Sequence, residues 1–155
     1  MIFRSHMALA LAEAEAAAAR GEVPVGAVLL SPQGEVVAKA GNRTRELFDP
    51  TAHAEVLVIR QACAALGSER LPGYQLYVTL EPCPMCAAAI SAARIARLYY
   101  GASDPKSGGV ERGPQVFSHP QCHHVPEIYD GISAPKSEAL LKSFFASRRL
   151  GADAP

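Results

Sequence analysis

The alternation of apolar and polar positions predicts that the chain begins with a helix and a β-hairpin. Residues 5–20 are rich in Ala, Leu and Glu and are followed by Gly21, which is typical of a helix with a glycine stop. Residues 23–30 form an apolar run that predicts a buried strand. Turn residues at 31–34 then predict that the chain returns as a second strand over residues 35–40.

Helices and strands alternate along the rest of the chain. Apolar residues recur at helical spacing over residues 53–66, and Gly67 closes this segment. The pattern predicts two more strands and two more helices, at residues 76–80, 98–100, 83–93 and about 136–150. The polar residues 41–50 and the Gly- and Pro-containing residues 103–127 are predicted to be loops.

This order of elements indicates an α/β fold in one domain, residues 1–155. Strand–helix–strand units favour parallel pairing, whereas a hairpin is antiparallel, so we expect a mixed sheet between helical layers. The chain has 155 residues, of which 49% are hydrophobic and 19% charged, which suits a single globular core and excludes disorder.

The overall charge gives no general attraction for nucleic acid, because 15 basic residues balance 15 acidic ones. A local exception is residues 136–149, where four basic residues against one acidic residue give a net charge of +3. No apolar run approaches the ~18 residues that a membrane span needs, and the first residues lack the order of a signal peptide. We therefore expect a cytoplasmic protein with no membrane partner.

Two short segments, residues 51–55 and 81–86, carry the candidate chemistry. Cys83 and Cys86 are three residues apart, so in one helical turn their sulfurs face the same side. A helix N-terminus also favours the thiolate form. With His53 they make a three-ligand zinc site whose fourth position is open, which is typical of catalytic rather than structural zinc.

Glu55 is the candidate catalytic residue. It lies two residues beyond His53 and so points to a different side, where it can reach a water molecule without binding the metal. Zinc lowers the pKa of such a water to roughly 7, and the carboxylate can then move protons as a general acid and base.

Three other interpretations compete with a catalytic zinc site. A Cys-x-x-Cys pair can serve redox chemistry, although no thioredoxin-like context is present. A structural zinc could take its fourth ligand from Cys122, His123 or His124, and a zinc-stabilised binding module would not require Glu55. The same cysteine and histidines, with His119, could also form a second metal site or part of a substrate wall.

The pattern of His53 and Glu55 followed by Pro82, Cys83 and Cys86 is the signature of zinc-dependent nucleobase deaminases. Beyond this motif, the chain resembles the family of bacterial tRNA-specific adenosine deaminases. The resemblance runs from about residue 7 to residue 150 and includes residues 22–28, 41–43, 49–55, 76–87, 101–106 and 144–149.

The resemblance implies a cytidine-deaminase-like fold, a three-layer α/β/α sandwich with a mixed five-stranded sheet. It implies one Zn²⁺ per subunit and conversion of adenosine to inosine at the wobble position of a tRNA anticodon. It further implies a homodimer that binds the anticodon stem-loop across both subunits. A small-molecule nucleobase deaminase of the guanine or cytosine type is the alternative, with the C-terminal helix capping its pocket.

The resemblance also implies roles for individual residues. Asn42 would hydrogen-bond the flipped base or its sugar, and the backbone N–H of Ala54 would bind the base edge. Val25, Leu80 and Pro82 would help to form the substrate pocket. Five residues would contact the RNA: Asp104, Lys106, Phe145, Arg148 and Arg149.

Overall fold

The computed structural model describes the backbone of residues 3–152 and the side chains of residues 3–149, so both ends of the expected domain, residues 1–155, lie outside the described residues. The helices are α1 (Met7–Ala19), α2 (Ala54–Leu66), α3 (Pro84–Ala92) and α4 (Ala134–Ala152). The strands are β1 (Gly26–Leu30), β2 (Val36–Gly41), β3 (Gln75–Leu80), β4 (Arg97–Ala102) and β5 (Glu127–Tyr129), and a short 3₁₀ helix spans Val116–Ser118.

The five strands form one mixed sheet in the order β2-β1-β3-β4-β5, which confirms the expected architecture. β1 pairs antiparallel with both β2 and β3, and β4 pairs parallel with β3 and β5. The hairpin and the parallel β3–α3–β4 unit are therefore both as predicted.

Helices cover both faces of the sheet. α1 and α4 lie on one face, and α2 and α3 lie on the other. Side chains of β1 alternate between the layers, as the period of a strand requires: Val28 packs in the cluster with α1, and Ala27 and Leu29 pack in the cluster with α2 and α3.

The alanine-rich helix α1 packs closely against the hairpin of the sheet. A Cβ atom on Gly26 would lie 2.6 Å from the backbone N of Ala14, and one on Gly41 would lie 2.6 Å from the carbonyl oxygen of Glu13. These glycines and the alanines of α1 therefore allow the helix and the hairpin to approach backbone to backbone.

Some element boundaries differ from the sequence prediction. β1 begins at Gly26 rather than residue 23, because Pro24 cannot donate to a neighbouring strand. β5 begins at the last residue of the segment predicted to be irregular and was not predicted, since its three residues are all exposed and show no apolar run. None of the described residues forms a helix that is both long and apolar enough to cross a membrane.

Candidate active site

The three predicted metal ligands lie at the N-termini of two helices. His53 is the residue immediately before α2, and Cys83 has the same position before α3. Cys86 lies in the first turn of α3, which begins with Pro84, a residue that suits the start of a helix because it needs no hydrogen-bond acceptor for its nitrogen. β3 leads directly into this segment, so the end of the sheet brings the ligands together.

The ligand atoms have the spacing that zinc requires. The Nδ1 atom of His53 lies 3.6 Å from the sulfur of Cys83 and 3.5 Å from that of Cys86. Tetrahedral zinc, with bonds of about 2.3 Å to sulfur and about 2.0 Å to nitrogen, separates these atoms by roughly 3.6 Å. Among the described residues, these three form the one group of His, Cys, Asp or Glu side chains that could hold a metal ion.

The environment of the two thiols favours a bound cation. The pKa of Cys83 is lowered to about 4, because Cys86 donates a hydrogen bond to its sulfur and His53 adds to this effect. The pKa of Cys86 is raised by the same contact and by burial, and the contact with Cys83 also raises the pKa of His53. One thiolate forms readily, and a cation at the centre of the cluster would stabilise the second.

Glu55 faces the ligand cluster from the first turn of α2. The residue is 3% exposed, and its Oε1 atom has no hydrogen-bond partner among the described residues. Burial raises the pKa of this carboxyl group. A buried carboxyl oxygen without a partner is costly, and a water molecule that also contacts the metal would satisfy it.

A cavity of about 210 Å³ opens at this site and holds several of the predicted residues. Val25, Asn42 and Leu80 line it together with His53, Glu55 and Cys83. Ala54 and Pro82 are buried and do not line it, and the Pro82 carbonyl instead accepts a hydrogen bond from the N–H of Gly109. Residues that the sequence did not single out, such as Thr44 and Ser107, complete the wall.

The backbone N–H of Ala54, which the resemblance implies for the base edge, has a partner within the protein. Its N–H donates to the side-chain oxygen of Asn42 at 2.8 Å, so this donor is already used within the protein. The contact fixes the orientation of the Asn42 amide, and its NH₂ group is the group left to meet a substrate.

A larger cleft of about 780 Å³ adjoins the cavity, and the two share Val23, Leu80, Asp104 and Ser107. All five predicted RNA-binding residues line this cleft: Asp104, Lys106, Phe145, Arg148 and Arg149. Lys142 adds a basic group that the sequence did not assign to a site. The cleft is therefore apolar at Phe145 and rich in positive charge.

Arg148 also has a structural contact that was not expected. Its guanidinium group donates to the carbonyl oxygen of Gly21 and lies over the ring of Phe144, 4.9 Å from the ring centre. These contacts hold α4 against the turn that follows α1, and thereby fix one side of the cleft.

Two buried glutamates that the sequence did not identify organise the loops around the site. Glu22 is 1% exposed and accepts hydrogen bonds from the backbone N–H groups of Arg45 and Glu46, at 3.1 and 2.9 Å, in the loop that carries Asn42. Glu81 holds the loop after β4 in the same manner. The sequence signal that could have identified them is their position, since Glu22 directly precedes one apolar strand segment and Glu81 directly follows another.

The cluster around Cys122 has no metal-binding arrangement in the described part of the chain. The Cys122 thiol contacts the Ser91 hydroxyl at 3.4 Å and the carbonyl oxygen of His124 at 3.2 Å. His124 uses its Nε2 atom on the carbonyl of Ile95, 2.7 Å away, while His119 and His123 line a separate groove beside α3. A structural zinc with a fourth ligand from this segment is not supported.

Residues 3–102 match the family model described as the cytidine and deoxycytidylate deaminase zinc-binding region. A tRNA-specific adenosine deaminase of Agrobacterium fabrum is 62% identical over 97% of this chain and 99% of that protein. A solved structure from studies of A-to-I editing by tRNA:A34 deaminases at the wobble position of transfer RNA is 63% identical. It covers 89% of this chain and 100% of its own, with a TM-score of 0.87.

Structures of more distant deaminases show the same fold. The structure of a guanine deaminase from Nitrosomonas europaea has a TM-score of 0.79 and covers 94% of this chain and 87% of its own, at 21% identity. At this identity the likeness concerns the fold alone.

Proposed function

Since the chain belongs to the zinc-binding cytidine and deoxycytidylate deaminase family, and within it to the tRNA-specific adenosine deaminases, we propose that it deaminates the wobble adenosine of a tRNA anticodon to inosine. The observation that carries this proposal is the junction of two compartments. The small cavity beside Glu55 suits one base taken out of the stack, and the adjoining basic cleft suits the strand that bears it.

The metal in this proposal is one Zn²⁺ per subunit, held by His53, Cys83 and Cys86. When bound, zinc supplies a Lewis acid that makes a water molecule acidic near neutral pH. The family match, the N···S distances and the partnerless Glu55 oxygen support this assignment.

Glu55 moves the protons of the reaction. It takes a proton from the water, whose oxygen forms a bond to C6 of adenine, and delivers this proton to the ring nitrogen. It then takes the proton of the new C6 hydroxyl group and delivers it to the exocyclic nitrogen as the C6–N6 bond breaks, so that the oxygen becomes the C6 carbonyl and ammonia leaves. Water and adenosine thus give inosine and ammonia, and the carboxyl group ends in its starting state.

Asn42 orients the base in this scheme. Because its side-chain oxygen is fixed by the N–H of Ala54, its NH₂ group is held towards the cavity as a donor for the base or its sugar. Val25 and Leu80 provide the apolar walls against which a base can lie. The pocket is therefore preorganised for a planar, hydrogen-bonding ligand.

The remaining parts of the proposal concern partners and location. We expect Asp104, Lys106, Phe145, Arg148 and Arg149 to contact the anticodon stem-loop, and their common cleft supports this. We also expect a homodimer, because the family resemblance implies one. A mass measurement in solution would then give twice the mass of one chain. A cytoplasmic location follows from a tRNA substrate.

The test compares substrates. The zinc-loaded protein is incubated with a tRNA whose anticodon begins with adenosine, and in parallel with free guanine, cytosine and adenosine. Inosine at the wobble position without ammonia from the free compounds supports the proposal. Ammonia from a free base, with no inosine in the tRNA, would contradict the proposal and favour a small-molecule nucleobase deaminase.

A further inference from the structure

The carboxylate of Glu81 is the centre of a hydrogen-bond network that no catalytic step uses. Glu81 is the first residue after β3, two residues before the ligand Cys83, and only 2% of it is exposed. Its Oε1 atom accepts from the backbone N–H of Asp104 at 3.0 Å and from the hydroxyl of Ser103 at 3.3 Å. Its Oε2 atom accepts from three consecutive backbone N–H groups, those of Val110, Glu111 and Arg112, at 3.0–3.1 Å.

The loop has the shape that this carboxylate requires. A Cβ atom on Gly108 would lie 2.5 Å from Cδ of Glu81 and 2.6 Å from the carbonyl oxygen of Asp104, so only glycine fits there. Gly109 donates its N–H to the carbonyl of Pro82 at 2.8 Å, which ties the same loop to the segment that leads to Cys83. Residues 103–112 thus wrap around one buried side chain.

This loop forms a wall of both compartments. Asp104 and Ser107 line the cavity beside Glu55 and also the basic cleft, where Lys106 joins them. Asp104 in turn accepts from the N–H groups of Lys106 and Ser107 through its side chain, at 3.2 and 3.1 Å. The position of this wall relative to the metal ligands therefore depends on the bonds that Glu81 makes.

We propose that Glu81 is a positioning residue for the reaction. It holds residues 103–112 at a fixed position relative to the metal ligands, so that the wall shared by the cavity and the cleft fits the RNA. This inference rests on the proposed function. It assigns Glu81 no contact with the base and no proton transfer. Its effect is exerted through the loop, so it should alter substrate binding more than the chemical step.

The test replaces Glu81 by glutamine, which keeps the size of the side chain. Glutamine has one acceptor oxygen, and its NH₂ group would face the N–H of Asp104 or those of Val110–Arg112, so at least one of the five bonds must be lost and a donor left facing a donor. Gly108→Ala is the second variant, since it displaces the loop while leaving the carboxylate intact. Glu35→Gln is the matched control, because Glu35 is exposed in the β1–β2 turn, distant in the chain from this loop.

Two readouts separate this proposal from a loss of folding and from a failure of the proposed function. Amide hydrogen exchange of Asp104 and Val110–Arg112 should accelerate by about 100-fold in Glu81→Gln and Gly108→Ala, with zinc content and the exchange of α2 unchanged. The KM for an anticodon stem-loop should rise on the order of 30-fold, with kcat within about threefold of the wild type. The control should match the wild type in every respect.

Unchanged local exchange would overturn the proposal. So would faster exchange spread over the whole chain with loss of zinc, or local loosening without a change in KM. If the wild-type protein itself fails to deaminate the RNA, the proposed function fails, and the hydrogen-exchange arm still decides whether Glu81 holds the loop.

Discussion

The metal ligands differ in how much of their placement is local. Cys83 and Cys86 share one helical turn, so their spacing alone predicts that their sulfurs meet. His53 is 30 residues before Cys83, and it reaches them only because the sheet places the start of α2 beside the start of α3. The sequence supported this third ligand through the whole signature rather than through spacing.

Replacing Cys83 by alanine should abolish both metal binding and activity. The variant loses one of three protein ligands, and the zinc content should fall from about one ion per subunit to near zero, with turnover at background. Metal analysis and the deamination assay measure this. Cys63→Ala is the control, since Cys63 lies on α2 and packs against the hydrophobic core; retention of zinc by the Cys83 variant would contradict the site.

Asn42 allows its two hydrogen-bonding roles to be separated. Asn42→Asp keeps an acceptor for the Ala54 N–H but loses the NH₂ donor, whereas Asn42→Ala loses both. We expect kcat/KM to fall about tenfold or more in both variants with zinc retained, and stability to fall by about 1 kcal/mol only in the alanine variant. Full activity of Asn42→Asp in steady-state kinetics would remove the amide donor from substrate binding.

The buried glutamates mark the limit of sequence reasoning at the scale of single residues. Glu22 meets donors 23 and 24 residues away, and Glu81 meets donors 22 to 31 residues away. These partners lie in loops without periodicity, so neither residue type nor spacing indicates the contacts. The contact between the Ala54 N–H and Asn42, 12 residues apart, was likewise not indicated by spacing.

At the scale of elements, patterning predicted the four helices and the four strands that have buried residues, and it missed β5, which among the described strands has none. The fully buried β1 and the helices with a packed face were predicted to within a few residues. β5 was missed because its three exposed residues obtain their strand conformation from pairing with β4. α4 begins two residues earlier than predicted, because Pro135 fits the first turn of a helix.

Helix α4 carries the prediction on RNA binding. Arg149 lines the cleft and has no hydrogen-bond or ion-pair partner among the described residues, whereas Arg148 bonds to Gly21. We expect Arg149→Ala to weaken stem-loop binding and to reduce the slope of log K against log salt by about one, with zinc unchanged. A titration at several salt concentrations tests this.

The control for this variant is Lys39→Ala, an exposed residue that lines neither cavity nor cleft. It removes the same charge and should leave the salt slope unchanged. An equal loss of RNA affinity in both variants would mean that only the net charge matters. An unchanged salt slope in Arg149→Ala would mean that this residue does not contact the RNA.

At the scale of the whole molecule, the fold concentrates positive charge that the overall composition does not provide. A chain with equal numbers of acidic and basic residues cannot attract RNA in general, so its positive charge must be concentrated. The sheet places the metal ligands at one end, and α4 and the loop after β4 bring basic side chains to the edge of the same opening. The order of elements predicted the layers, but the junction of cavity and cleft is a property of the folded chain.

The most direct test of this account compares wild type and Glu55→Gln, both loaded with zinc, in a single turnover on an adenosine-bearing anticodon stem-loop. Glutamine fills the same space and keeps the cluster of His53, Cys83 and Cys86 intact, but it cannot shuttle protons. We expect equal zinc content and equal RNA binding in the two proteins, with inosine formed only by the wild type. Inosine formation at a comparable rate by Glu55→Gln would contradict it, because the proton transfers would then belong to another group.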